Sequence, residues 1–397
     1  MIFIKSPELK RARNAVIAIA VLLSALAVFG AFLDLQHFLQ AYLAGFLFLL
    51  LLSAGCGGVL MLNHVAGGTW GYLVRRILES GALMSFVLAL LAVPLLVFMQ
   101  ELFAWTRPNA AVIVPLFEAK SWYLNVPFFI GRVLLCFAIF CLVPLLLARW
   151  SRQQDVEPTE ARRYRMAALS APGMILFVLA ISLISIDFIM SLQPEWYSTM
   201  FGFQAATSCV LAAFAFSIVA LVCLAPRLPQ LSAVATPDRL HDLGNLLLAL
   251  VLFWTYVSFS QFLIIYSGNL PEEVTFYLNR ITRGWEYIGL ALALFHFILP
   301  FAVLLSRSVK RRAKTLAAVA ALLLLFRFVD LFWLVMPSFR PTLYVHWLDL
   351  IVPSALAFVW LGAFLWSYGS HAALARMLFP QRPAPEAEMG AAAGETA

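Results

Sequence analysis

The chain has 397 residues, 63% of them hydrophobic and only 12% charged, where a soluble domain carries about 45–50% apolar and about 25% charged residues. A soluble fold of this length needs more polar surface than that, and the same numbers exclude a disordered, collagenous or coiled-coil chain. A net charge of +7 accompanies no RNA- or DNA-binding motif, so nucleic acid is not an expected partner. The basic residues gather instead in the loops of one side, as in a chain threaded through a bilayer. The expected class is an all-α integral membrane protein.

A helix needs about 20 apolar residues to cross the hydrocarbon core, and ten such runs follow one another. Residues 1–13 form a basic N-terminal segment ahead of a first span at 14–33, whose apolar run exceeds the roughly 7–15 residues of a signal-peptide core. Spans 2–5 are expected near 40–62, 79–103, 124–148 and 167–191, within a unit over 34–202. Spans 6–9 follow near 203–224, 243–267, 285–306 and 315–336, within a unit over 203–340. The last span, 346–368, lies within 341–379, and the Ala-, Pro-, Glu- and Gly-rich stretch 380–397 is read as a disordered tail. None of these runs alternates polar and apolar residues as a membrane strand would.

The two four-span units read as parallel repeats, with spans 1 and 10 flanking them. Phe38-Leu39-Gln40-Ala41 opens span 2 as Phe203-Gln204-Ala205 opens span 6. Tyr123-Leu124-Asn125 precedes span 4 as Tyr277-Leu278-Asn279 precedes span 8. Pro144 and Pro300 fall late in spans 4 and 8, and Asp187 and Asp330 late in spans 5 and 9. Of the 27 Lys and Arg, twenty lie on the side of the termini, five on the other, and Arg132 and Arg327 within spans. That bias places both termini in the cytoplasm. Trp70, Trp105, Trp122, Trp150, Trp196, Trp285, Trp347 and Trp366 stand near span ends, as an interfacial belt requires.

Ionisable groups within a bilayer are costly and usually face a partner or a cavity. Arg132, Asp187, Arg327 and Asp330 fall in the outer half of their spans, Glu286 and Asp349 near outer span starts, and Ser258 and Gln261 along one side of span 7. Arg327 and Asp330 are three apart and share a helix face. Asp187 lacks a partner in its own span, and Arg132 is the candidate from the span before. These eight residues are the candidate proton path, against the plainer reading that the pairs only neutralise buried charge. His296 alone lies deep in a span, which argues against a bis-His haem. The five cysteines form no C-x-x-C pair, and no P-loop, G-x-G-x-x-G or H-E-x-x-H motif is present. No metal, catalytic residue or cofactor is therefore assigned to the chain itself.

Two segments are more specific than composition. One runs from Tyr256 through Ser258, Gln261, Asn269, Pro271, Glu272 and Glu273 to Arg283-Gly284-Trp285; the other runs Asp187-Phe-Ile-Met-Ser-Leu-Gln-Pro-Glu-Trp-Tyr-Ser-Thr-Met-Phe-Gly202. Both resemble the F subunit of bacterial alternative complex III, a quinol:cytochrome c oxidoreductase, within the NrfD/polysulfide-reductase-C-like membrane proteins. The resemblance implies a multi-pass subunit of the bacterial inner membrane, without a redox cofactor of its own. It implies a paralogous NrfD-like membrane subunit, periplasmic c-haem and iron–sulfur subunits, surrounding lipids and an attached terminal oxidase as partners, with quinol oxidised in the complex. Asp187 and Gln261 carry over as motif positions, as do Asn269, Glu272 and Glu273, which lie in an outer loop fit for docking a partner. The alternatives are a secondary transporter, the quinol-oxidising anchor of a molybdoenzyme of the same superfamily, or a purely structural anchor.

Overall fold

The computed structural model describes residues 7–68, 70–107, 119–193 and 195–378, with the side chains of 7, 229, 230, 272 and 370–378 excepted. The expected tail at 380–397, the first six residues and the Glu272 side chain lie outside the described residues. Everything described is helix, turn or loop, without a strand. The principal helices are α1 (Pro7–Leu33), α2 (Leu35–Ala66), α3 (Trp70–Leu83), α4 (Val126–Val156), α5 (Glu160–Phe188), α6 (Thr199–Leu224), α7 (Pro237–Gly268), α8 (Trp285–Leu292), α9 (Ala313–Val335) and α10 (Leu348–Leu378). Short segments prolong α3 as far as Leu102, and α8 continues through Ala293–Ile298 into Leu299–Leu305. Ten helical stretches are long and apolar enough to cross a membrane. Ten crossings return the chain to the face it started from, here called the terminal face; the other is the far face.

Helix ends follow local chemistry. Asp34 caps α2 by accepting the His37 amide at 2.9 Å, and Asn125 caps α4 by accepting that of Phe128 at 3.0 Å. Such side-chain acceptors satisfy amides that the first turn leaves without a partner. Prolines mark two of the irregular stretches. Pro94 has no N–H, its ring crowds the carbonyl four residues back, and α3 is interrupted at Ala92. Pro300 likewise crowds the carbonyl of His296, and the chain there runs as a π turn, Ala293–Ile298. Pro144, Pro172 and Pro353 lie inside unbroken helices, so proline alone does not predict a break.

The centre of the molecule is α2, 89% buried over its most apolar stretch, against 17% for α1. It packs on α3, α5, α6 and α10. Lipid is as apolar as leucine, so helices associate here through close packing rather than a hydrophobic drive. Glycines on α2 permit that approach: a Cβ on Gly55 would stand 2.1 Å from the Cys209 carbonyl oxygen of α6, and one on Gly45 would stand 2.8 Å from the Pro353 Cα of α10. The periphery, α1, α7 and α8, presents Leu22, Phe32, Phe259 and Leu290 outward.

The belt of tryptophans is only partly as expected. Trp122, Trp347 and Trp366 are exposed at span ends, but Trp105, Trp196 and Trp285 are buried. Trp196 stacks on Phe276 at 3.7 Å, and the Arg280 guanidinium lies over Phe276 at 3.4 Å. Inside the protein these rings pack against partners; the amphipathic position at the lipid surface belongs to the exposed ones.

Candidate functional site

Polar groups buried in the far half of the molecule gather into three arginine–aspartate pairs. The first joins α4 to α5. These neighbours run antiparallel, which sets Arg132, two turns into α4, beside Asp187, in the last turn of α5. The contact is a fork, Nε to Oδ2 and Nη2 to Oδ1, both 2.9 Å. The remaining Nη1 donates to the Tyr123 carbonyl at 3.1 Å, and the guanidinium lies 3.8 Å from the Tyr123 ring centre. Paired donors and an aromatic face suit the planar, weakly hydrated guanidinium. Ser191 donates to the Asp187 carbonyl at 2.5 Å. Burial, with the Asp187 carboxylate adding to it, pushes the Tyr123 phenol up, so that group stays protonated beside the pair.

The second pair lies one turn apart on α9, Arg327 Nη2 to Asp330 Oδ2 at 3.0 Å. The distance is that of an ion pair, but the angles are not those of a hydrogen bond: Asp330 Oδ2 and Arg327 Nη1 are both buried without one. Trp254 of α7 lies 5.3 Å from the Arg327 guanidinium, and His296, in the π turn, meets the Trp254 ring edge-on at 4.1 Å. Trp254 Nε1 and both ring nitrogens of His296 are also buried without a partner. Five polar atoms on three helices are thus unsatisfied by protein, where each such group costs about 1–3 kcal/mol. A cavity of about 10 Å³ touches Arg327, between Phe48 and Leu51 of α2 and Ser208 and Ala212 of α6. That is about the room one water requires.

The third pair ties the last two spans to α2. Arg340 donates to both Asp349 oxygens at 2.6 and 2.9 Å and to Gln40 at 3.1 Å, and the His346 amide donates to Asp349 at 2.8 Å. Beside it His37 links Asp34 at 2.6 Å and Tyr344 at 2.8 Å. A fourth buried arginine, Arg280, is met by the carbonyls of Phe276 at 2.6 Å and Leu334 at 2.5 Å and by Gln193 at 3.2 Å. Burial pushes its pKa down to about 9, which still leaves it charged at neutral pH.

At the far face, next to the first pair, an open slot of about 350 Å³ is lined by Trp122, Tyr123, Ile186, Met190, Trp196 and Tyr197, with Lys120 and Ser198 at its polar edge. Ser198 donates to Gln261 of α7 at 2.7 Å, which connects this wall of the slot to the second group of helices.

The structure brings Arg132 to Asp187 and Arg327 to Asp330 as the sequence suggests. The other candidates separate. Ser258 accepts from Gln204 at 3.3 Å. Glu286 accepts the Gly284 amide at 2.8 Å and so closes the start of α8, apart from any pair. Asn269 ends α7 in the left-handed conformation, φ 46°, which its short polar side chain tolerates. Glu273 lies half-buried in the short helix Pro271–Leu278. The sequence did not reveal Arg340 as the partner that joins Asp349 to Gln40, nor Trp254 beside His296. Arg340 reads as a loop cation, and tryptophan gives no signal of an unpartnered N–H.

These features define a multi-pass helical membrane protein with buried arginine–carboxylate pairs toward one face. The chain matches no protein-family model, and no curated protein matches it.

Proposed function

We propose that the chain is a membrane subunit of a respiratory quinol:cytochrome c oxidoreductase of the alternative complex III type, corresponding to its F subunit. In this reading it scaffolds the complex and contributes a proton path on the quinol side. It holds no redox cofactor; c-haem and iron–sulfur clusters reside in periplasmic partners. In this reading the membrane is the bacterial inner membrane, and the Lys and Arg bias supports a cytoplasmic terminal face and a periplasmic far face. The aromatic slot beside Asp187 then borders the level at which a quinol headgroup would lie. Asn269 and the short helix that carries Glu272 and Glu273 would then meet the periplasmic subunits, where charge steers assembly more than it adds affinity.

Two parallel bundles, α2–α5 and α6–α9, belong to the same proposal. In support, α2 packs on α3 and α5 as α6 packs on α7 and α9, and α2 and α6 meet along the middle. The observation that carries the proton path is the pair of buried carboxylates, Asp187 and Asp330, each held by an arginine late in its bundle. A carboxylate between an arginine and an apolar wall can change partners on protonation. The unsatisfied atoms around Arg327 supply polar stations for water in the second bundle.

Asp187→Asn and Asp330→Asn test this in the assembled complex. The expected outcome is intact assembly with reduced proton release per quinol oxidised. Normal turnover with normal proton stoichiometry removes the path for that residue, and loss of assembly leaves a structural role only.

One observation favours a second reading, the secondary transporter: α3 is interrupted and α8 contains a π turn. In transporters built from repeats, however, broken helices occupy corresponding positions. Here the counterpart of α3 is α7, which is continuous.

A further inference from the structure

On the terminal face, away from the buried pairs, a cavity of about 700 Å³ opens where the end of α2, the starts of α3 and α5 and the end of α4 meet. Arg75, Arg163 and His64 supply its cationic and donor groups, and Asn63 and Gln154 its amides. Arg75 is fixed in place by Asp155 at 2.8 Å. Arg163 reaches into solvent, with its side chain 71% exposed. His64 Nε2 is buried with no partner in the protein. The one carboxylate at the rim, Glu160, is 92% exposed and stands 3.8 Å from Arg163.

We propose that this cavity binds the phosphodiester headgroup of an anionic glycerophospholipid. Guanidinium and imidazole donors around a polar hollow are what a phosphate's oxygens require. Basic pockets between spans at the cytoplasmic level are where anionic headgroups bind. The wider charge agrees, since twenty Lys and Arg face ten Asp and Glu on this side of the chain. A lipid, rather than a soluble phosphate, is indicated by the aromatic mouth and the apolar helix surface beside the cavity. Tyr72 and Tyr164 stand exposed at the mouth, and Leu62 and Val65 on α2 and Ile175 and Leu179 on α5 present outward apolar surface along which acyl chains can lie. Tyrosines at that level suit the boundary between headgroup and hydrocarbon.

Lipid retention on the delipidated full-length protein, purified with its native partners, is read by native mass spectrometry. The probes are phosphatidylglycerol, phosphatidylcholine and glycerol 3-phosphate. Phosphatidylglycerol is expected to be held in preference to phosphatidylcholine, and Arg163→Gln to weaken that retention about fivefold, the effect of one basic residue at an anionic surface. His64→Ala is expected to weaken it further. Arg239→Gln removes a cation from the same face outside the cavity and should leave retention unchanged. Equal retention of the two lipids, or an equal loss in Arg239→Gln, overturns the proposal. Competition by glycerol 3-phosphate as strong as by the lipid overturns it in favour of a soluble phosphate. Arg163 is exposed enough that its variant should fold, so the test stands even if His64→Ala does not.

Discussion

At the scale of single residues, the buried arginines differ in how completely they are satisfied. Arg340 has a carboxylate fork, the Gln40 oxygen and a tyrosine ring at 4.8 Å. Removing one partner of such a pair strands the other charge, at a cost of about 3–5 kcal/mol, whereas replacing both with apolar groups is often neutral. Arg340→Met should therefore lower the melting temperature of the purified protein markedly, and Arg340→Met with Asp349→Leu should recover much of it. A double variant no more stable than the single one would mean that Arg340 acts through Gln40 and the loop rather than through Asp349. Arg327 has no such set of partners. Its nearest carboxylate is poorly aimed, and its neighbours Trp254 and His296 are themselves unsatisfied.

At the scale of helices, approach distance decides which positions tolerate change. Gly55 faces a backbone carbonyl that cannot rotate away, so Gly55→Val should force α2 from α6. Overpacking costs about 1–3 kcal/mol where side chains can yield, and this site should reach or pass the upper end. Gly131 in α4 has nothing within 4 Å of its would-be Cβ. Gly131→Ala should stabilise by about 0.5–1 kcal/mol through helix propensity. Thermal melts of both variants in one detergent check the contrast. The sequence made the helices legible for a physical reason: about twenty apolar residues bounded by charge have one stable form in a bilayer. The Arg132–Asp187 pair was legible because adjacent antiparallel spans bring the end of one to the start of the next. The interruption of α3 and the π turn of α8 were not, since Pro94 and Pro300 look no different from Pro144. Arg340 meeting Gln40 is a contact across 300 residues, and no local pattern encodes it.

At the scale of the whole molecule, the periphery is apolar, with an open slot at the far face and a larger cavity at the terminal face. The chain is expected to copurify with a second membrane subunit and with c-haem- and iron–sulfur-bearing proteins, seen by haem staining and mass spectrometry of a mild detergent extract. Isolation as a single species that carries a solute would instead establish the transporter. The central place of α2 has a bearing on biogenesis. Apart from α3, its main neighbours, α5, α6 and α10, follow much later in the chain. During translation it must rest in lipid on nearly every side, which its even, all-round apolarity permits at little cost. The packing around α2 is therefore complete only once α10 closes over Gly45 and brings Asp349 to Arg340.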